Sequence, residues 1–149
     1  MTNPLHLRFL LIAFLIGQAF AAEKKIKMKD LPPAVQQAVK EQSKTATLKG
    51  LATEVENGKT LYEAEMTVGG HSKDVSFDAD GKVVSVEEEV TLESIPEAAR
   101  EAIQKSSAKG KLRKVESVTA NGTTFYEAQI RRGMKTTEVK VDANGKPVK

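Results

Sequence analysis

The chain contains no cysteine and no tryptophan, and only 5% of its residues are aromatic. The absence of cysteine excludes disulfide bonds and a lipid anchor attached through cysteine, so the fold must depend on its apolar core. Sparse aromatic residues argue against a base-stacking platform for nucleic acid. The net charge of +3 is spread over mixed charges and does not predict a nucleic-acid partner either.

The chain also lacks an apolar run long enough to cross a membrane. Its longest run, Phe9–Ile16, has eight residues, whereas a transmembrane helix needs about 20. This run follows Arg8 and precedes the small-x-small pattern Ala19–Ala21, which is typical of a secretory signal peptide. We expect residues 1–21 to be a signal peptide cleaved after Ala21, with Ala22 as the alternative, and the mature protein to be periplasmic or secreted without a membrane attachment.

The remainder of the sequence contains an internal repeat. When the chain is shifted by 64 residues, 18 of the 55 positions between 31 and 85 are identical without a gap. Tyr62–Ala64 falls on Tyr126–Ala128, for example. A repeat of this length indicates duplication of one structural unit. We predict that residues 24–87 form a first module and residues 88–149 a second.

Each copy is predicted to begin with a helix. Asp30 and Ser94 are residue types that favour the N-cap position, and Ser94 with Glu97 fits a capping box. Small apolar residues then recur at helical spacing. They are Ala34, Val35, Ala38 and Val39 in the first copy, and Ala98, Ala99, Ala102 and Ile103 in the second.

Three or four strands are predicted to follow each helix. Asn-Gly, Gly-Gly and Asp-Gly pairs provide hairpin turns, and the segments between them alternate apolar and polar residues. In the clearest strand, one side carries Tyr62, Ala64, Met66 and Val68, and the other carries Leu61, Glu63, Glu65 and Thr67. The predicted fold class is therefore α+β, with two tandem modules, each one helix packed on a three- to four-stranded antiparallel sheet.

The order of these motifs resembles PepSY-like domains, which belong with the β-lactamase-inhibitor-protein-like (BLIP-like) group. The similarity rests on a Leu-Pro or Ile-Pro at the helix start, the Tyr-Glu-Ala strand and the Asp-Ala-Asp/Asn-Gly-Lys turn, and it covers both copies. It implies an exported, non-catalytic protein that binds or inhibits a protein such as a peptidase or other hydrolase. The tandem inhibitor of this group holds its target on the open face of a doubled sheet. This chain lacks that inhibitor's cysteines and tryptophans, so only the general role of protein binding is carried over.

The strand face that the helix does not cover is the candidate partner-binding surface. Alternation places two apolar side chains there among charged residues, where they could anchor a partner. The alternative is that the two sheets cover each other and bury them. The candidate partner-binding residues are Leu61, Glu63, Phe125, Glu127 and Arg131.

Three other functions are weighed against protein binding. The turn Asp78–Gly81 suggests calcium, but its glycine is at the fourth position and not at the sixth, as an EF-hand loop requires. Because both copies carry such an acidic turn, a periplasmic protein that binds a small ligand or calcium remains the alternative function. His71 lies in a glycine turn without a second zinc ligand, and no nucleophile–base pair indicates an enzyme. We predict no cofactor, no catalytic residue, and a monomer or weak homodimer.

Overall fold

A computed structural model describes residues 24–56 and 58–148, so the predicted signal peptide at 1–21 lies outside the described residues. The strands are β1 (Lys24–Lys25), β2 (Thr47–Glu56), β3 (Lys59–Val68), β4 (His71–Phe77), β5 (Val83–Glu89), β6 (Lys111–Ala120), β7 (Thr123–Arg132) and β8 (Lys135–Asp142). The α-helices are α1 (Pro33–Gln42) and α2 (Glu97–Ser107). Within the described ranges, no helix is long and apolar enough to cross a membrane.

The eight described strands belong to one antiparallel sheet, in the order in which they occur along the chain. The α+β class is thus confirmed. The prediction of two tandem modules, each one helix on a three- to four-stranded sheet, is not confirmed, because the strands of both halves form one sheet. The link is the pairing of β5 with β6, in which Ser85 lies opposite Ala120 and Glu89 opposite Glu116. An edge strand carries unpaired backbone groups, and this pairing satisfies them for β5 and β6.

Both helices pack on the same face of this sheet, because the strand register places their contact residues on one side. Val35 and Val39 of α1 are fully buried, as are Ala99 and Ile103 of α2. Their main partners in the sheet are Ala64, Met66, Val75 and Phe77 for α1, and Val115, Ala128 and Val141 for α2. Of the predicted helical stripes, Val35, Val39, Ala99 and Ile103 are confirmed as core residues, whereas Ala34 and Ala98 are exposed. On β3, Ala64 and Met66 face the helix as predicted, and Val68 is exposed.

The starts of the helices differ from the prediction. Asp30 and Ser94 end short 3₁₀ turns, and the N-cap positions are Pro32 and Pro96, without a side-chain cap. The Ser94 hydroxyl donates to the carbonyl of Thr91 over 2.8 Å and not to the helix. A serine hydroxyl can satisfy a local backbone group in either way, so the capping-box pattern alone did not distinguish the two.

The Asp-Gly turns are structural parts of the fold. The Oδ1 atom of Asp78 accepts hydrogen bonds from the backbone N–H groups of Asp80 (3.0 Å) and Lys82 (2.9 Å), and Asp142 repeats the arrangement in the second half. This carboxylate oxygen therefore closes its own loop. The backbone of Gly81 lies against the first turn of α1, where a Cβ atom would come within 2.6 Å of the Ala34 carbonyl oxygen. These contacts favour the hairpin interpretation over the calcium interpretation of the turn.

We predict that Gly81→Ala destabilises the protein more than Gly122→Ala. The two glycines have nearly the same positive φ, +76° and +75°, so both substitutions carry the left-handed penalty of about 1–2 kcal/mol. Only at Gly81 would the methyl group also collide with helix backbone, whereas nothing lies within 4 Å at Gly122. Urea unfolding of both variants measures the difference. Equal losses of unfolding free energy would contradict the close contact between turn and helix.

Candidate functional site

The open face is the side of the sheet opposite the two helices, and it carries all five predicted partner-binding residues. Alternation along β3 and β7 places Leu61, Glu63, Phe125 and Glu127 there. Arg131 extends the same row of β7 towards the hairpin that joins β7 to β8. The structure thus brings these residues to one side of one continuous sheet.

Two apolar side chains on the open face are buried, an outcome that the sequence left open as the alternative. Leu61 and Phe125 are only 6% and 4% exposed, so the expectation that they present exposed apolar groups is wrong. Both described α-helices pack on the other face, so these helices do not cover Leu61 and Phe125. A strongly twisted sheet with bulges curls, and side chains of distant strands then shield one another. Register shifts of this kind place an extra residue in β2, in β5 and in β6.

A group of buried carboxylates occupies the middle of the open face, and we call it the carboxylate cluster. Each member is 5% exposed or less, although the chain as a whole is positively charged. The cluster consists of Glu63 on β3, Asp74 on β4, Glu87 on β5, Glu116 on β6 and Glu127 on β7. Burying so many like charges is costly unless they are paired or protonated.

The strand register sets the positions of these groups. Asp74 lies directly opposite Glu87 in the β4–β5 pair, and Glu116 lies opposite Glu127 in the β6–β7 pair. Carboxylate oxygens of Asp74, Glu87 and Glu116 all lie within 4.8 Å of one another. The closest part of the cluster therefore lies across β5 and β6, where the two halves of the chain join.

Two lysines partly neutralise the cluster on its second-half side. Lys114 forms an ion pair with Glu116, and the Nζ atom of Lys140 lies 2.5 Å from Oε1 of Glu127. The same Nζ atom lies 5.8 Å from the centre of the Phe125 ring, within reach of a cation–π attraction. Both lysine side chains are only 12% exposed, so these pairs are shielded from salt better than surface pairs.

The electrostatic environment favours the protonated form of two members. Burial, reinforced by repulsion from Glu127, Glu116, Asp74 and Glu63, raises the pKa of Glu87 to about 9. Burial also raises the pKa of Glu127 to about 7, and this effect outweighs the opposing influence of Lys140. Because Glu87 responds to charges on β3 and on β7, two strands away on either side, these side chains converge above the sheet.

At the edge of the cluster, Glu89 behaves in the opposite way. Its Oε2 atom accepts the backbone N–H of Ser72 over 3.1 Å, and this hydrogen bond is the main reason that the pKa of Glu89 is lowered. Hydrogen bonds to a carboxylate favour its charged form. The open face therefore contains a protonatable centre and a charged edge.

Sequence reasoning identified Glu63 and Glu127 but missed three members of the cluster, Asp74, Glu87 and Glu116. Asp74 was not assigned to the face that carries Glu63. Glu87 and Glu116 were missed because the pairing of β5 with β6 was not predicted. A search of each predicted strand for acidic residues at the alternate positions that point to the open face would have found Asp74.

Arg131 differs from the other predicted residues because it is exposed. Its Nε atom donates to the carbonyl of Gly133 over 2.9 Å, which holds the side chain next to the β7–β8 hairpin. Among the five predicted partner-binding residues it is the one that solvent reaches freely. It marks the rim of the open face, whereas Leu61, Glu63, Phe125 and Glu127 form its floor.

Comparison with known proteins places this arrangement among similar sheets. The family model described as "Putative beta-lactamase-inhibitor-like, PepSY-like" matches residues 21–68 and 60–149. A BLIP-like protein from Bacteroides fragilis NCTC 9343 has a similar structure, with a TM-score of 0.58, 22% identity, and coverage of 80% of this chain and 84% of that one. No curated protein matches the chain.

A second similar structure comes from Bacteroides eggerthii DSM 20697. It belongs to a protein described as a "putative periplasmic" protein, with a TM-score of 0.65 and 21% identity, and the match covers 80% of this chain and 86% of that one. At these identities the two structures show a shared fold. The match covers more of this chain than one repeat contains, so the fold is shared beyond a single repeat.

The cluster predicts that stability falls as the pH rises. Glu87 and Glu127 have folded-state pKa values of about 9 and about 7, above the ordinary glutamate value of 4.5. The folded state therefore retains protons that the unfolded state releases, and the stabilisation is full below about pH 4.5 and is lost as the pH rises through the folded values. Glu89 has a lowered pKa, so its stabilisation is lost only as the pH falls below the ordinary glutamate range and does not change between pH 5 and pH 9. We expect the midpoint of thermal unfolding in EDTA to decrease steadily between pH 5 and pH 9.

The variant Glu87→Gln should show a flatter pH profile, because glutamine imitates the protonated carboxyl and does not titrate. The matched control is Glu101→Gln on the exposed side of α2, which should keep the slope of the parent protein. A constant or rising midpoint in the parent protein between pH 5 and pH 9 would contradict the protonated state of the cluster.

Proposed function

The chain belongs to the PepSY-like family, and on this premise we propose that it is an exported, non-catalytic module that binds a protein partner at the open face of its sheet. The observation that carries the proposal is a single eight-stranded sheet whose two helices pack on one side. Neither helix covers the other side, which carries the carboxylate cluster.

The rim of the open face is the part that a partner would contact first. The floor residues Leu61 and Phe125 are buried, so their role in this proposal is to set the shape and the field of the surface. Arg131 is exposed, and arginine is enriched at protein interfaces. We therefore assign the direct contact to Arg131 and the supporting role to Leu61, Glu63, Phe125 and Glu127.

The compartment and the partner class follow from the same premise. A similar structure is described as a periplasmic protein and another as BLIP-like. We propose that residues 1–21 are removed as a signal peptide, that residues 24–87 and 88–149 are two tandem copies of one module, and that the mature protein acts outside the cytoplasm. The proposed partner is a peptidase or other hydrolase, which the module inhibits or regulates.

The proposal is tested by capturing exported proteins on the immobilised mature chain. We expect Arg131→Glu to reduce capture of the specific partner by at least about tenfold, because an exposed charge reversal at an interface costs on the order of 1.4 kcal/mol or more. The control Lys105→Glu makes the same change of charge at an exposed position on α2 and should leave capture unchanged. Capture that both reversals weaken equally, or that neither weakens, would remove the open face as the binding surface.

Leu61→Asp and Phe125→Asp test a different property. Both place a charge at a buried position, so we expect loss of the folded state and not a selective loss of binding. Circular dichroism and urea unfolding check this expectation. A folded Phe125→Asp variant with the stability of the parent protein would contradict the burial of the floor.

A further inference from the structure

The closest carboxylates on the open face have the spacing of ligands around one ion. Oxygen atoms of Asp74, Glu87 and Glu116 lie within 4.8 Å of one another. Two oxygen ligands of the same calcium ion, each at about 2.3–2.6 Å from it, are at most about 5 Å apart. The three carboxylates can therefore contact one central cation without a rearrangement of the strands.

The three ligands are held by the sheet and not by a loop. Asp74 and Glu87 face each other across β4 and β5. Glu87 lies opposite Val118 on β6, and Glu116 is two residues away from Val118 on the same side of that strand. Their backbone positions are fixed by the strand pairing, so the ligand spacing is set before an ion arrives.

A second observation lies one row along the same face of β5. The hydroxyl of Ser85 is buried, with the residue only 1% exposed, and it has no hydrogen-bond partner among the described residues. Ser85 precedes Glu87 by two positions on β5, so its side chain points to the same side of the sheet. Its cross-strand neighbours are Ser76 on β4 and Ala120 on β6. A buried hydroxyl without a partner is costly, and a water held by an ion at Asp74 and Glu87 would satisfy it.

The charge around this site also favours a cation. Glu63 and Glu127 add two further buried carboxylates on the flanking strands. Lys114 contacts Glu116, and Lys140 contacts Glu127. Because a carboxylate has two oxygens, Glu116 can hold Lys114 and a metal ion together.

We propose that Asp74, Glu87 and Glu116, with Ser85 beside them, form a binding site for a hard divalent cation, and that calcium fits it best. All the donors are oxygen atoms, which suits calcium and magnesium better than zinc or copper. Calcium accepts several carboxylates in irregular geometry, whereas magnesium requires a near-ideal octahedron and retains its water. This site lies within the sheet and is separate from the Asp-Gly turns.

The ion would connect the two halves of the chain. Asp74 and Glu87 belong to residues 24–87, and Glu116 belongs to residues 88–149. The strands β5 and β6 pair through five residue pairs, and a cation bound across them would hold this junction from the open face. The proposal concerns this junction alone and does not depend on the identity of any protein partner.

The experiment is calorimetric titration of the mature, EDTA-treated chain with calcium, together with thermal unfolding at constant ionic strength. We expect one calcium ion per chain, with an affinity near the 10⁻⁴–10⁻³ M range of extracellular modules. At 10 mM calcium the unfolding midpoint should rise by about 5–10 °C, and 10 mM magnesium should give a smaller rise. No calcium-specific heat and no rise in the midpoint would overturn the proposal.

Two variants locate the site. Glu87→Gln should abolish the calcium-induced rise, and because the readout is the difference with and without calcium, its own baseline stability does not affect the result. Asp80→Asn changes the Asp-Gly turn to the residue type that the second turn has at Asn144, and it should keep the full response. Loss of the response in Asp80→Asn with retention in Glu87→Gln would assign calcium to the turn and overturn the proposed site.

These outcomes are distinguishable from those of the partner test. Absence of calcium binding leaves the capture experiment with Arg131→Glu unaffected when capture is carried out in EDTA. Loss of capture in that experiment would not change the calcium titration. Each proposal therefore stands or fails on its own measurement.

Discussion

The antiparallel pairing of β5 with β6 is the constraint on which the rest of the structure depends. Without it, each half of the chain would end in an unpaired strand edge. With it, the eight strands form one sheet, both helices lie on the same side, and acidic side chains from both halves meet. The carboxylate cluster is therefore a product of the junction and does not exist within either half alone.

The sequence predicted the local features well and the long-range ones poorly. Alternation assigned Ala64 and Met66 to the helix side and Glu63 to the opposite side, because side-chain direction in a strand depends only on parity. The burial of Leu61 and Phe125 depends instead on how the sheet curls and on which strands pair, and no local pattern contains that information. The partnership of β5 was missed for the same reason, and with it the place of Glu87 in the cluster.

Burying the carboxylates of the cluster costs free energy, and the fold lowers this cost by protonation and by ion pairing. Replacing buried ionic groups by apolar residues of similar volume is often neutral or stabilising, so carboxylates are not needed to fill this face. Glu87 instead reduces the repulsion by holding a proton at neutral pH, and Glu127 is balanced between its proton and Lys140. A group of acids held in this way is well suited to exchange its protons for another positive charge.

The small size of a metal ion explains how cation binding and partner binding could both use the open face. The members of the cluster are at most 5% exposed, which leaves access for an ion but not for the bulky side chains of a folded partner. A partner would instead contact the exposed rim, near Arg131. A cation bound across β5 and β6 would attract the carboxylates that otherwise repel one another. It would thereby fix the position of one half of the sheet relative to the other. The shape that the rim presents to a partner would then depend on what occupies the floor.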